Sequence, residues 1–113
     1  MTGASSLSTH VLDAVRGRPA TGVRVELASA DGGEWTPLGG GVTDDDGRIA
    51  GLAPEGLPSG TFRLVFATGD YFAAVGDACF YPEVSVAFLV DEERHYHVPL
   101  LLSPYAFSTY RGS

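Results

Sequence analysis

The stretch HYHVPLLLSPYAFSTYRGS, His95 to Ser113, decides the fold. Read as a strand from His95 to Ser103, it sends His95, His97, Pro99, Leu101 and Ser103 to one side and Tyr96, Val98, Leu100 and Leu102 to the other, because side chains alternate along extended backbone. The all-apolar set is the core face. The opposite face mixes two imidazoles with Pro99 and Leu101, which is less polar than a solvated sheet surface, so a cover over it is expected. Tyr105 to Tyr110 follows as a last strand.

Working outward, the same period recurs. GVRVELAS (Gly22 to Ser29) puts Val23, Val25 and Leu27 on one side and Arg24, Glu26 and Ala28 on the other. Phe62, Leu64 and Phe66 share a face in TFRLVFAT (Thr61 to Thr68), and Val84, Val86, Phe88 and Val90 do so in Val84 to Asp91. LSTHVLDA (Leu7 to Ala14) reads as a strand that Arg16-Gly17-Arg18-Pro19-Ala20 breaks. Glu34 to Thr43 reads as a weaker strand anchored on Trp35, and Ile49 to Leu52 as a brief one.

The polar run at residues 1–6 is expected to be disordered, and Ala53 to Gly60 to form a proline and glycine loop. Asp44-Asp45-Asp46-Gly47-Arg48 is expected to turn in solvent with Gly47 at a positive φ. Its spacing lacks the alternating acidic ligands and distal glutamate of a calcium loop. One helix is expected, Asp70 to Ala78, with Asp70 as its N-cap and Gly76 near its end. Seven or eight short strands and one small helix in 113 residues predict one all-β domain over residues 7–113, a sandwich of two antiparallel sheets.

Composition narrows the function. The net charge is −7, lysine is absent and the arginines are scattered, which argues against a nucleic-acid surface. A local arginine can still hold an anionic ligand, because screening over roughly 10 Å lets near charges dominate distant ones. The single cysteine, Cys79, permits no internal disulfide and fits a reducing compartment. No apolar stretch reaches membrane-spanning length and the opening residues do not resemble a signal peptide, so cytoplasm is the expected location, with no membrane partner.

Three histidines, one turn arginine and the C-terminal tyrosine could carry chemistry. From the residues alone, His10 reads as an ordinary strand histidine. His95 and His97, an H-x-H pair, suit a metal as readily as catalysis, and with His10 could make a zinc site. No carboxylate partner accompanies them.

Motifs at three separated places resemble the 5-hydroxyisourate hydrolases of the transthyretin-like family: LSTHVLDAVRGRPA near the start, Asp46-Gly47-Arg48 in the middle, and YHVPLLLSP with the closing Tyr110-Arg111-Gly112-Ser113. The resemblance implies a transthyretin-like sandwich, hydrolytic opening of 5-hydroxyisourate in urate degradation, no cofactor or metal, and a homotetramer that buries the His97, Pro99 and Leu101 face. It places His10 and His97 as catalytic histidines and Arg48 facing the active site. Tyr110 and Ser113 would line the pocket with them, and a role for His95 stays open. The alternative is a non-enzymatic small-molecule carrier of transthyretin type, a kind that lacks the histidines and the closing tetrapeptide.

Overall fold

The face assignment for His95–Ser103 holds at every position but one: Tyr96, Val98, Leu100 and Leu102 are buried, while His95 is exposed and His97, Leu101 and Ser103 are half-buried. Pro99 is buried too, although it belongs to the outer set; its carbonyl accepts a 2.7 Å hydrogen bond from Thr109 Oγ1 on the neighbouring strand. These observations come from a computed structural model that describes residues 5–112.

In chain order the elements are β1 (Ser6–Asp13), β2 (Arg18–Pro19), β3 (Arg24–Asp31), β4 (Glu34–Val42), β5 (Arg48–Ile49), β6 (Gly60–Phe66), α1 (Thr68–Val75), β7 (Val84–Val90), β8 (His95–Ser103) and β9 (Ala106–Thr109). They form two sheets. One runs β4-β3-β6-β7, and the other β2-β1-β8-β9 with β5 also paired to β1. Val25, Leu27, Leu64, Phe66 and Val84 from the first meet Leu7, Val11, Tyr96, Leu100 and Leu102 from the second in one core. Removing such side chains from water contributes about 1.5–3 kcal/mol each, which fixes which face of each strand turns inward. Among the described residues no helix is long and apolar enough to cross a membrane.

Four details differ from the sequence expectation. Every strand pair is antiparallel except β1 with β8, which run parallel in the register Ser6 to His95, Ser8 to His97 and His10 to Pro99. They lie too far apart in sequence for a hairpin to impose antiparallel pairing. Of the run 1–6, residues 1–4 lie outside the described residues, whereas Ser6 starts β1 and Ser5 is buried, bridged to Leu57 and donating its hydroxyl to the Glu92 carbonyl. The strand does break, in a turn over residues 14–17, but Arg18 and Pro19 then form a two-residue edge strand against Leu12 and Asp13, where Pro19 need donate no ladder bond.

The fourth concerns the helix, which starts two residues before Asp70. Ala67 is its N-cap and offers no side-chain bond, so Asp70 is a first-turn acid favoured by the helix dipole and not the cap. The start is fixed from outside, by Thr68 Oγ1 donating to the Tyr81 carbonyl and Gly69 N–H to the Pro82 carbonyl at 2.8 Å. Gly76 ends it in the left-handed region, φ 81°, as expected.

The helix is tied to the end of β1 through Asp13, a carboxylate with no side-chain exposure. It accepts from Tyr71 Oη at 2.7 Å, from the N–H groups of Val15 and Arg16, and from Arg16 Nη1, which also reaches Asp77 at 2.8 Å. Burial pushes the Asp13 carboxyl up, but the Tyr71 hydroxyl and the Arg16 and Val15 donors together outweigh it and hold it below the usual aspartate range. The Tyr71 phenol is pushed up to about 12, by burial first and by its bond to Asp13 second.

A carboxylate depressed in the folded state contributes stability that is present above its unfolded pKa and is lost as pH falls through the folded one. Tyr71→Phe is therefore expected to cost about 1–2 kcal/mol at neutral pH in urea unfolding. The deficit should shrink as pH falls below the ordinary aspartate range and through the lowered pKa of Asp13. Equal stability of the two proteins at pH 7 would count against this account of the node.

Candidate active site

Alternation along β1 buries Leu7, Thr9, Val11 and Asp13 and leaves Ser6, Ser8, His10 and Leu12 on the outer face. Thr9 belongs to the buried set because its hydroxyl donates to the Val98 carbonyl at 2.6 Å, an additional tie between β1 and β8. The parallel register then lays two outer rows side by side, Ser6 beside His95, Ser8 beside His97 and His10 beside Pro99. On the other edge of β1, His10 pairs with Arg48 of β5. Directly opposed antiparallel residues stand about 4.5–5.5 Å apart at Cβ, so the guanidinium and the imidazole share one patch.

Arg48 reaches this patch because of the acidic turn before it. Asp44 Oδ1 accepts from the N–H groups of Asp46 and Arg48, both at 2.9 Å, and the Asp44 carbonyl accepts from Gly47. Gly47 takes a φ of 74°, as the sequence suggested. It also needs to be glycine for a second reason: its carbonyl accepts from Val11 N–H at 2.7 Å, and a Cβ here would lie 2.4 Å from the Val11 carbonyl oxygen. The turn is thus pressed flat onto β1, which sets where Arg48 begins.

A hollow of about 300 Å³ opens over these residues, lined by Ser6, Ser8, Arg48, Gly51, His95 and His97 among others. A larger one, about 500 Å³, lies by the loop around Pro54 to Gly60, but contains no histidine, arginine or cysteine. Volume alone does not make a site, and the smaller hollow is the one that gathers imidazoles and a guanidinium.

His97 is the half-buried histidine of this hollow. Its Nδ1 lies 2.8 Å from Ser8 Oγ, and among the described residues its Nε2 has no hydrogen-bond partner. Gly112 closes the other side: its N–H donates to the His97 carbonyl at 2.8 Å, and a Cβ on Gly112 would come within 2.6 Å of the ring carbon Cδ2. Burial holds the His97 pKa below the ordinary histidine value, with the charges of Arg48, His10 and His95 acting in the same direction. The ring is accordingly neutral near pH 7 and able to accept a proton.

The structure places His10 opposite Arg48 and one strand from His97, with His10 beside the hollow and not among its lining residues. Tyr110, 57% exposed just beyond β9, does not line it, and Ser113 lies outside the described residues. The three-histidine zinc alternative finds no support in the geometry. Among the described residues no three His, Cys, Asp or Glu side chains converge, and both His95 nitrogens face serine hydroxyls, Ser6 at 2.6 Å and Ser8 at 2.8 Å.

Two neighbours of His97 escaped the sequence reading. Ser8 shares the strand period of His10, which was a usable signal, but its partner depends on a parallel register that no local pattern encodes. Gly112 was legible only as part of the closing tetrapeptide.

A model of the HIUase/Transthyretin family matches residues 7–112. This chain belongs to that family. The 5-hydroxyisourate hydrolase of Salmonella typhi is 48% identical, an alignment that covers 98% of this chain and 83% of that protein. Among solved structures, Klebsiella pneumoniae 5-hydroxyisourate hydrolase superposes with a TM-score of 0.88 at 40% identity, over 96% of this chain and 99% of that one. Sea bream transthyretin in complex with thyroxine superposes equally well, TM-score 0.89 at 35% identity, over 95% and 94% of the two chains. The family therefore carries both an enzyme and a hormone binder on one fold, and the site residues have to separate them.

Proposed function

We propose that this chain is a 5-hydroxyisourate hydrolase. It opens the six-membered ring by hydrolysis of a C–N bond and gives 2-oxo-4-hydroxy-4-carboxy-5-ureidoimidazoline, a step of urate degradation. The observation that carries the reading is the convergence of a neutral, half-buried His97 with Arg48 and His10 on one outer sheet face. A hormone carrier needs an apolar channel and has no use for a free imidazole lone pair beside a guanidinium.

Water attacks the ring carbonyl while His97 Nε2 takes one of its protons. The water O–H bond breaks, a new C–O bond forms, and the carbonyl pair moves onto oxygen as an oxyanion. Arg48, with a planar fork of donors, binds the ring oxygens and supports that negative charge. Collapse of the tetrahedral species breaks the C–N bond. The leaving nitrogen takes a proton from the histidine pair, His10 standing on the Arg48 side and His97 opposite. No metal or cofactor is required by this sequence of steps.

The outer face is suited to a subunit contact. Pro99, Leu101 and Leu12 stand among the polar groups, and Tyr110 is 57% exposed just beyond β9. A homotetramer that packs this face between subunits would roof the hollow, and would bring Tyr110 and Ser113 to the substrate as pocket-lining groups. The free thiol of Cys79 suits a cytoplasmic location.

One experiment tests the reading. Protein separated by size with in-line light scattering is assayed, fraction by fraction, for loss of the ultraviolet absorbance of freshly generated 5-hydroxyisourate. Rapid loss confined to the tetramer is expected. Decay at the buffer rate in every fraction would reject the enzyme, and a fully active monomer would reject the assembly.

A further inference from the structure

The four outer side chains Ser6, His95, Ser8 and His97 form one continuous hydrogen-bonded chain. Ser6 Oγ lies 2.6 Å from His95 Nδ1, Ser8 Oγ lies 2.8 Å from His95 Nε2, and the same Ser8 Oγ lies 2.8 Å from His97 Nδ1. Of these only the His97 end is half-buried against the hollow; His95 and Ser6 face solvent. A serine hydroxyl has one hydrogen to give and two lone pairs to receive with. Ser8 therefore cannot donate to both imidazoles at once, and the tautomers of His95 and His97 are coupled through it.

With both rings neutral, Ser8 can accept from both, which leaves its hydrogen outside the chain and His97 with the same lone pair as the first of two other arrangements. Those two satisfy every link and also use that hydrogen within the chain. In the first, His97 Nδ1–H donates to Ser8 Oγ, the Ser8 hydroxyl donates to His95 Nε2, and His95 Nδ1–H donates to Ser6. In the second, every donor and acceptor is reversed, and the neutral His97 ring carries its proton on Nε2. The two differ at the one atom that matters, the unpartnered Nε2 over the hollow. The first leaves a lone pair there and the second fills it.

The first is also the arrangement that survives reaction. When Nε2 takes a proton from water the ring becomes an imidazolium with N–H on both nitrogens, and Nδ1–H still donates to Ser8 without any hydroxyl having to rotate. The second would need every link to reverse before the ring could accept a proton. Among the described residues, the charged or titratable groups that act on His97 are Arg48 on β5, His10 on β1 and His95 on its own strand, and none of these is a carboxylate that could orient the ring.

We propose that Ser8 and His95 are positioning residues: the Ser8 hydroxyl, its hydrogen engaged by His95, holds His97 in the Nδ1–H tautomer with the Nε2 lone pair aimed at the substrate. The inference rests on the hydrolase reading for its kinetic part, but its structural part is independent of it. Ser8 sits on the outer face and its hydroxyl bonds only these two rings among the described residues, so its removal leaves the core untouched.

The test joins nitrogen NMR of the histidine rings with kinetics for wild type, Ser8→Ala, Ser8→Thr and His95→Phe. In wild type at pH 7.5, His97 is expected to show a protonated Nδ1 and a bare Nε2. Ser8→Ala should give a mixture of tautomers and lower kcat about tenfold with KM nearly unchanged, the worth of one well-placed hydrogen bond. Ser8→Thr, which keeps the hydroxyl, should restore both signals, and His95→Phe should shift the tautomer ratio in the direction of Ser8→Ala. A wild-type ring protonated on Nε2, or an unchanged tautomer and kcat in Ser8→Ala, would overturn the proposal. If wild type fails to hydrolyse 5-hydroxyisourate, the function falls while the tautomer measurement still decides the positioning.

Discussion

Replacing His97 by asparagine is expected to lower kcat/KM for 5-hydroxyisourate roughly a thousandfold, the middle of the range for losing a positioned acid–base group. Asparagine keeps a polar side chain beside Ser8 and fits the same gap against Gly112, so stability should change little. It cannot take a proton near neutrality. Because burial, together with Arg48, His10 and His95, depresses the His97 pKa, the neutral base persists below the ordinary histidine range. The acid limb of wild-type kcat/KM should accordingly fall below about pH 6.5, the unperturbed histidine value. Arg48→Ala should move that limb upward, since it removes a repelling charge, but not fully, since burial is the larger cause. It should also cost turnover in its own right, about a hundredfold, through loss of oxyanion support. Turnover within threefold of wild type in His97→Asn would show that some other group takes the proton.

The second large effect is expected from one methyl group. In Gly112→Ala the added Cβ would sit 2.6 Å from His97 Cδ2 and 3.2 Å from its Cβ and Cγ, inside contact distance for carbon. Either the ring tilts away from Ser8 or the terminal segment leaves its 2.8 Å bond to the His97 carbonyl. Both outcomes misplace Nε2, and a misplacement of about 1 Å can cost a hundredfold. The core is distant from this contact, so thermal unfolding should stay within a few degrees of wild type. A fully active Gly112→Ala protein would mean that the terminal segment does not set the position of His97.

The contrast between those two residues measures how far the sequence could be read. Strand alternation was legible wherever one face is wholly apolar, and β8 came out with its bounds and its core face correct because Tyr96, Val98, Leu100 and Leu102 leave only one inward choice. The turn before Arg48 was legible through Gly47, whose positive φ is a local requirement. What local pattern could not carry was pairing between distant segments. The parallel register of β1 with β8 brings Ser8 to His97, and nothing within either strand announces it. The start of α1 was misplaced for the same reason: Thr68 and Gly69 are fixed by carbonyls of Tyr81 and Pro82, well downstream, and not by the Asp70 side chain. His10 and Arg48 were assigned roles by family resemblance, and their adjacency follows from a two-residue pairing of β5 with β1.

The central claim is spatial, so the most direct measurement is a crystal structure of the assembled protein soaked with uric acid, the planar parent of the proposed substrate. The ring is expected in the hollow over β1 and β8, its oxygens within hydrogen-bond reach of Arg48 and its edge facing His97 Nε2, with His10 beside it. Uric acid bound elsewhere while that hollow stays open to solvent would contradict the account.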